Sequence, residues 1–157
     1  MPDALGRRFL VPREQKIAID VGRGTNYSTG ADSLFVRYND ALSFPNFPQV
    51  EGFYDVSAGT WRRRVNDSSV ALAIGVRERW DNFHLDGSVG LAVMAGKTAN
   101  SDTYQQFALR VGAGYRVRPF DFGLYRMHFS NNKPFFDWEG RNIGYDFVVF
   151  EVGYLLK

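Results

Sequence analysis

The chain has 157 residues and no cysteine, is 45% hydrophobic, 16% aromatic and 23% charged, and carries a formal net charge of +2. These values exclude a disordered segment, a collagen-like repeat, a disulfide scaffold and a cysteine-ligated metal site. Fifteen of the nineteen basic residues are arginine, but 17 carboxylates nearly balance them, so there is no polybasic arm for nucleic acid.

One domain is expected over residues 1–157, with 1–14 as a short N-terminal extension. Met1 to Val21 carries charges throughout and lacks an apolar centre followed by a small-residue cleavage site, so no secretory signal is read there and an exported chain would be in processed form. The longest apolar run, Val70 to Val76, is far below the roughly 20 residues of a transmembrane helix. A barrel strand needs no such run, because it crosses lipid in roughly 9 to 11 residues of which only alternate side chains face the lipid.

Alternation predicts eight strands: Gln15 to Gly22, Ser33 to Asn39, Gly52 to Trp61, Ser68 to Trp80, Asn82 to Ala95, Thr103 to Val117, Phe120 to Ser130 and Gly144 to Leu156. Short Gly, Asn, Asp, Ser or Pro clusters separate most of them, and no window carries a helical apolar stripe. In the fourth stretch Val70, Leu72, Ile74 and Val76 oppose Ser69, Ala71, Ala73, Gly75, Arg77 and Arg79. The fifth sets Phe83, Leu85, Val89, Leu91 and Val93 against His84, Asp86, Ser88 and Gly90. In the sixth, Leu109, Val111 and Val117 oppose Arg110, Gly112, Gly114 and Arg116, and in the eighth Val148, Phe150, Val152 and Tyr154 oppose Glu151 and Gly153.

The polar faces mix charge with Gly, Ala and Ser, which fill a narrow lumen, whereas a water-facing surface carries longer polar chains. This predicts an all-β fold, an eight-stranded antiparallel up-and-down transmembrane β-barrel with apolar side chains outward and most arginines paired with Asp and Glu inside. Trp61, Trp80, Phe83, Tyr104 and Tyr115 near strand ends are expected in interfacial girdles, and Arg62, Arg63 and Arg64 at a solvated strand end. Two other readings of the pattern are a non-catalytic outer-membrane barrel and a soluble barrel with an apolar ligand inside.

The segment Arg126-Met127-His128-Phe129-Ser130-Asn131-Asn132 holds a base, a nucleophile and an amide donor together. Residues i and i+2 of a strand share a face, so the His128 imidazole can take the Ser130 hydroxyl proton, and Asn131 follows where its amide can meet a developing oxyanion. Parity places the pair outward with Phe120, Phe122 and Leu124, although Tyr125, Met127 and Phe129 make the opposite face equally apolar. With both termini periplasmic, the seventh strand ends at the outer leaflet. His84 has no such neighbours and is expected inside on a lumenal partner. Two histidines and no cysteine leave little for a transition metal.

Gln106 to Asn131 resembles the signature region of the PagL-type lipid A 3-O-deacylases, with Gly112-Ala113-Gly114-Tyr115-Arg116 followed by His128-Phe129-Ser130-Asn131. The resemblance implies an eight-stranded barrel in the outer membrane of a Gram-negative bacterium, acting on lipid A of lipopolysaccharide. It implies hydrolysis of the ester-linked 3-hydroxyacyl chain at position 3, with Ser130 as nucleophile, His128 as general base and Asn131 as oxyanion donor. No metal or organic cofactor and no protein partner follows from it. The family's acidic third member best matches Asn142, a departure, while Asn132 and Lys133 replace the small residue and glycine after the oxyanion Asn. Asn142 or Glu139 is the expected orienting residue, and Asp146, outward by parity with Asn142, Val148 and Phe150, also reaches the imidazole from the eighth strand.

Overall fold

The computed structural model describes residues 11–44, 46–62, 66–96, 104–130 and 144–156. Its strands are β1 Val11–Thr25, β2 Asp32–Phe44, β3 Phe47–Arg62, β4 Asn66–Trp80, β5 Phe83–Met94, β6 Gln105–Val117, β7 Phe120–Ser130 and β8 Tyr145–Leu155. Each pairs antiparallel with its neighbour in the chain, and β1 pairs with β8 from Lys16 opposite Leu155 to Thr25 opposite Asp146, closing the barrel. Closure leaves no sheet edge, so the backbone groups along the wall pair with one another, as a span through lipid requires.

The alternation in the sequence maps onto the two sides of this wall. Leu72, Ile74, Val111 and Leu124 are 59%, 67%, 62% and 60% exposed, within a coat of Val, Leu, Ile, Phe and Tyr that continues around the barrel. A belt of that extent is stable against hydrocarbon and unfavourable in water, and it reverses the inside-out order of a soluble ligand-binding barrel.

The interior is divided along the axis. Its lower and middle part is a lattice of buried ion pairs: Lys16 reaches Glu151 at 2.6 Å and Asp121 at 3.0 Å, Arg110 reaches Glu151 at 2.6 Å, Arg37 reaches Asp55 at 2.8 Å, and Arg77 reaches Asp86 at 2.9 Å. Charges taken out of water are costly unless opposed, and here each of these groups faces a partner. His84 lies inside as expected, with Nε2 2.9 Å from Asp121 and Nδ1 3.4 Å from Asp86.

Above the lattice an aromatic plug fills the lumen. Trp61 is only 2% exposed and sits 5.0 Å from the Tyr145 ring, 5.5 Å from Phe147, 5.8 Å from Phe129 and 6.0 Å from Phe35. Trp61 is therefore not an interfacial girdle residue. It shares the inward parity of Asp55 and Ser57 on β3, and at this level the lumen is filled by rings instead of ions. The same plug accounts for the apolar inner face of β7, since Tyr125, Met127 and Phe129 are all buried within it. Trp80, Phe83, Tyr104 and Tyr115 do stand outward. Arg62 is exposed at the end of β3, and residues 63 and 64 lie outside the described residues.

Several strands are longer than their alternating cores. β1 begins at Val11, four residues ahead of the expected start, and its Glu14 turns inward to meet Arg116 at 2.6 Å. Part of the expected extension thus belongs to the wall. β2 and β3 likewise run on to Phe44 and from Phe47, because their pairing with each other continues past the alternating cores, with Phe44 opposite Phe47.

The start of β1, the end of β8 and the tight connections after β2, β4 and β6 lie at one end; the links after β1, β5 and β7 are longer and lie at the other. Short turns face the periplasm and long loops the exterior in outer-membrane barrels, so β7 runs outward and ends at the outer surface.

Candidate active site

β7 reaches its outer end with Leu124, Arg126, His128 and Ser130 on the lipid side of the wall and Tyr125, Met127 and Phe129 plugging the lumen. Burial of the three inward side chains fixes the parity, so His128 and Ser130 must share the outward face. Both are half-buried. His128 stands opposite Asp146 of β8 and opposite Leu109 of β6 in the strand register, and Ser130 stands opposite Phe107.

The His128 imidazole places Nδ1 3.0 Å from Asp146 Oδ1. A carboxylate only accepts, so Nδ1 carries the proton and Nε2 is left as the basic atom. Arg126, two residues earlier on the same face, donates to the same Asp146 oxygen at 3.2 Å, and Asn26 donates to the other at 3.1 Å. The Asp146 backbone N–H donates to the hydroxyl of Ser28, itself buried, at 3.0 Å. Asn26 and Ser28 belong to the single 3-10 turn between β1 and β2, Asn26–Ser28, which packs against β8.

Gly144 packs closely against the pair: a Cβ placed on it would lie 3.2 Å from His128 Cε1 and 3.5 Å from Ser130 Cβ, so the imidazole and the serine both border the position of its missing side chain. Among the described residues no hydrogen bond joins the imidazole to the Ser130 hydroxyl; such contacts commonly tighten only when substrate is bound.

Beside the site the outer wall is grooved. Gly87 on β5 lies between Val76 of β4 and Val111 of β6, and its missing side chain leaves a dent bordered also by Ile74, Val89 and Leu109, with a volume of about 560 Å³. Leu109, one of its lining residues, is the register partner of His128, so the dent lies one strand away from the imidazole.

Of the residues expected from the sequence, His128 and Ser130 are brought together on the outer face, while Asn131, Glu139 and Asn142 lie outside the described residues. Asp146 fills the place at Nδ1. Parity in β8 makes it legible, but Asn26 and Ser28 carry no local signal, since only the closure of β1 against β8 brings them there. Among the described residues no group of three or more His, Cys, Asp or Glu is arranged to hold a metal ion.

A family model described as lipid A 3-O-deacylase (PagL) matches residues 25–155. The fold is similar to the crystal structure of the outer membrane enzyme PagL, at 15% identity and a TM-score of 0.64, covering 88% of this chain and 98% of that one. It is also similar to the Yersinia pestis outer membrane protein Ail, at 12% identity and a TM-score of 0.58 over 91% and 99% of the two chains. The N-terminal barrel domain of Pseudomonas aeruginosa OprF matches at 17% identity and a TM-score of 0.55 over 93% and 100%. No curated protein matches the chain. Because the family match takes in every strand from the end of β1 to the end of β8, the chain belongs to the lipid A 3-O-deacylase (PagL) family, the outer-membrane barrels that hydrolyse an acyl ester of lipid A.

Proposed function

We propose that the chain is a serine esterase that removes the ester-linked 3-hydroxyacyl chain from position 3 of lipid A. In this reading Ser130 Oγ attacks the ester carbonyl carbon while His128 Nε2 takes the hydroxyl proton. The tetrahedral intermediate collapses with cleavage of the bond to the sugar oxygen, which receives the proton from His128, and a water repeats the cycle to release the 3-hydroxy fatty acid. Asn131, directly after the nucleophile, donates to the oxyanion.

The observation that carries this reading is the outward placement of His128 and Ser130 at the long-loop end of β7, with Nδ1 already bonded and Nε2 left for the serine. A pair on the lipid side at that level meets acyl esters of the outer leaflet without lifting the substrate out of the membrane. The dent at Gly87, whose lining residue Leu109 is the register partner of His128, offers the departing chain an apolar bed one strand away.

The test is mass spectrometry of lipid A incubated with the refolded protein. Loss of one 3-hydroxyacyl group with the wild type and none with Ser130→Ala supports the mechanism. Equal loss with Ser130→Ala removes Ser130 from it.

A further inference from the structure

We infer that Arg126 on β7 and Arg23 on β1 form, on the lipid side of the wall, a subsite for a phosphate monoester carried by the sugar whose ester is cut. The inference rests on the reading of His128 and Ser130 as the reacting pair and of lipid A as the substrate. Lipid A bears a phosphate on the same glucosamine as the position-3 ester, so the group to be matched is an anion within one sugar ring of the scissile bond.

The outward arginines at this end of the barrel fall in one line of strand pairing. Arg126 is opposite Val148 of β8, Val148 is opposite Arg23, Arg23 is opposite Asp32 of β2, and Asp32 is opposite Arg62 of β3. Arg126 stands between Leu124 and His128 on a face that is apolar below it, where a cation without a counter-ion is costly. Its Nη2 lies 3.2 Å from Asp146, the register partner of His128, which carries the guanidinium up to the level of the pair. That bond uses one of its five N–H donors, and the side chain is 60% exposed, so most of the donors are open to the outside. Arg23 is held through Nε by Asp32 at 3.1 Å and is 80% exposed, which presents its two terminal nitrogens outward. Neighbouring strands are roughly 5 Å apart, so the two Cα positions are separated by about 10 Å with only Val148 between them, a gap that two arginine side chains close on one phosphate. Asp146 and Asp32 each hold one edge of a guanidinium and restrict its orientation, which favours paired donation to a fixed anion over diffuse attraction.

The test compares lipid A with the same lipid A lacking the phosphate on the ester-bearing sugar, both in non-ionic alkyl glycoside micelles so that no detergent phosphate competes. The wild type should favour the phosphorylated lipid by about 10- to 100-fold in kcat/KM, the range of one or two charge-assisted bonds. Arg23→Gln should reduce that ratio by about tenfold. Arg126→Gln should reduce it as well, in addition to a loss shared by both lipids because Asp146 is released; the ratio alone reads the subsite. Arg62→Gln, on the far side of Asp32, should keep the wild-type ratio. Folding is checked by the shift in gel mobility on heating. Equal kcat/KM for the two lipids in the wild type, an unchanged ratio in folded Arg23→Gln, or an equal fall in Arg62→Gln, the mark of diffuse attraction, overturns the inference. Binding is read separately with Ser130→Ala by calorimetric titration, in which Kd should be about tenfold lower for the phosphorylated lipid. If the wild type hydrolyses neither lipid, the reading on which the inference rests fails, and the difference in Kd alone decides the subsite.

Discussion

Gly144 lies against the carbonyl of Phe129: a Cβ at position 144 would be 2.7 Å from that oxygen, closer than side-chain carbons approach backbone. The residue also has a φ of +76°, in the left-handed region that glycine enters without strain. Two separate demands therefore fall on one position, the tight entry into β8 and the close approach to His128 and Ser130. Gly144→Ala should cost about 1–3 kcal/mol of stability through backbone strain and the carbonyl contact. Its methyl group would also crowd His128 and Ser130, which under the proposed mechanism lowers kcat/KM by roughly tenfold or more. Urea unfolding in detergent and lipid A kinetics read the two effects, and an unchanged kcat/KM would show that the close approach of residue 144 has no bearing on turnover.

The two histidines should separate stability from chemistry. His84 is enclosed between Asp121 and Asp86 inside the barrel, whereas His128 stands on the outer face beside Ser130. His84→Gln should lose about 1–3 kcal/mol by weakening buried polar contacts, yet turn over at the wild-type rate per folded molecule. His128→Gln should fold normally and lose activity by about 10³-fold or more, since among the described residues no other imidazole stands beside Ser130. A His84→Gln protein that is fully folded but inactive would count against the assignment.

The contrast shows what the sequence carries. Period-two alternation determines which side of a closed wall each residue faces, so the ion lattice, the apolar coat and the shared face of His128 and Ser130 were all legible. Trp61 was misplaced because an aromatic at a strand end fits a membrane girdle and a lumenal plug alike; only the neighbouring strands show that Phe35, Phe129 and Phe147 meet it. Asp146 was within reach of parity. Its supports were not, because Asn26 and Ser28 approach it through the β1–β8 closure, a contact that leaves no periodic trace in either segment.

Gly87 offers a test of the groove with little structural cost. A Cβ there would meet only the Arg110 carbonyl oxygen, at an ordinary 3.6 Å, so a larger side chain is accommodated outward without strain. Gly87→Leu fills the dent between Val76 and Val111 and should leave the fold intact. If the scissile acyl chain lies along this wall, the variant should raise KM for long-chain substrates by about tenfold or more, since one displaced methylene is worth about 1–3 kcal/mol, and spare short-chain esters. Equal kinetics on both chain lengths would place the acyl chain elsewhere on the barrel.

Glu151 marks the opposite extreme, a residue central to the fold and on the other side of the wall from His128 and Ser130. Its carboxylate is fully enclosed, with Lys16 and Arg110 each at 2.6 Å and Arg37 at 3.8 Å. Glu151→Gln preserves the volume but leaves three cations facing a neutral amide where desolvation is already high. Removing one partner from a buried ionic cluster costs about 3–5 kcal/mol, because the remaining charges lose their compensation. The urea midpoint in detergent should therefore drop sharply. His128 and Ser130 stand on the other side of the wall, supported by β7–β8 pairing and the aromatic plug, so under the proposed mechanism the folded fraction should hydrolyse lipid A at the wild-type rate. A folded Glu151→Gln barrel with lost turnover would show that the lumenal lattice acts on the outer face.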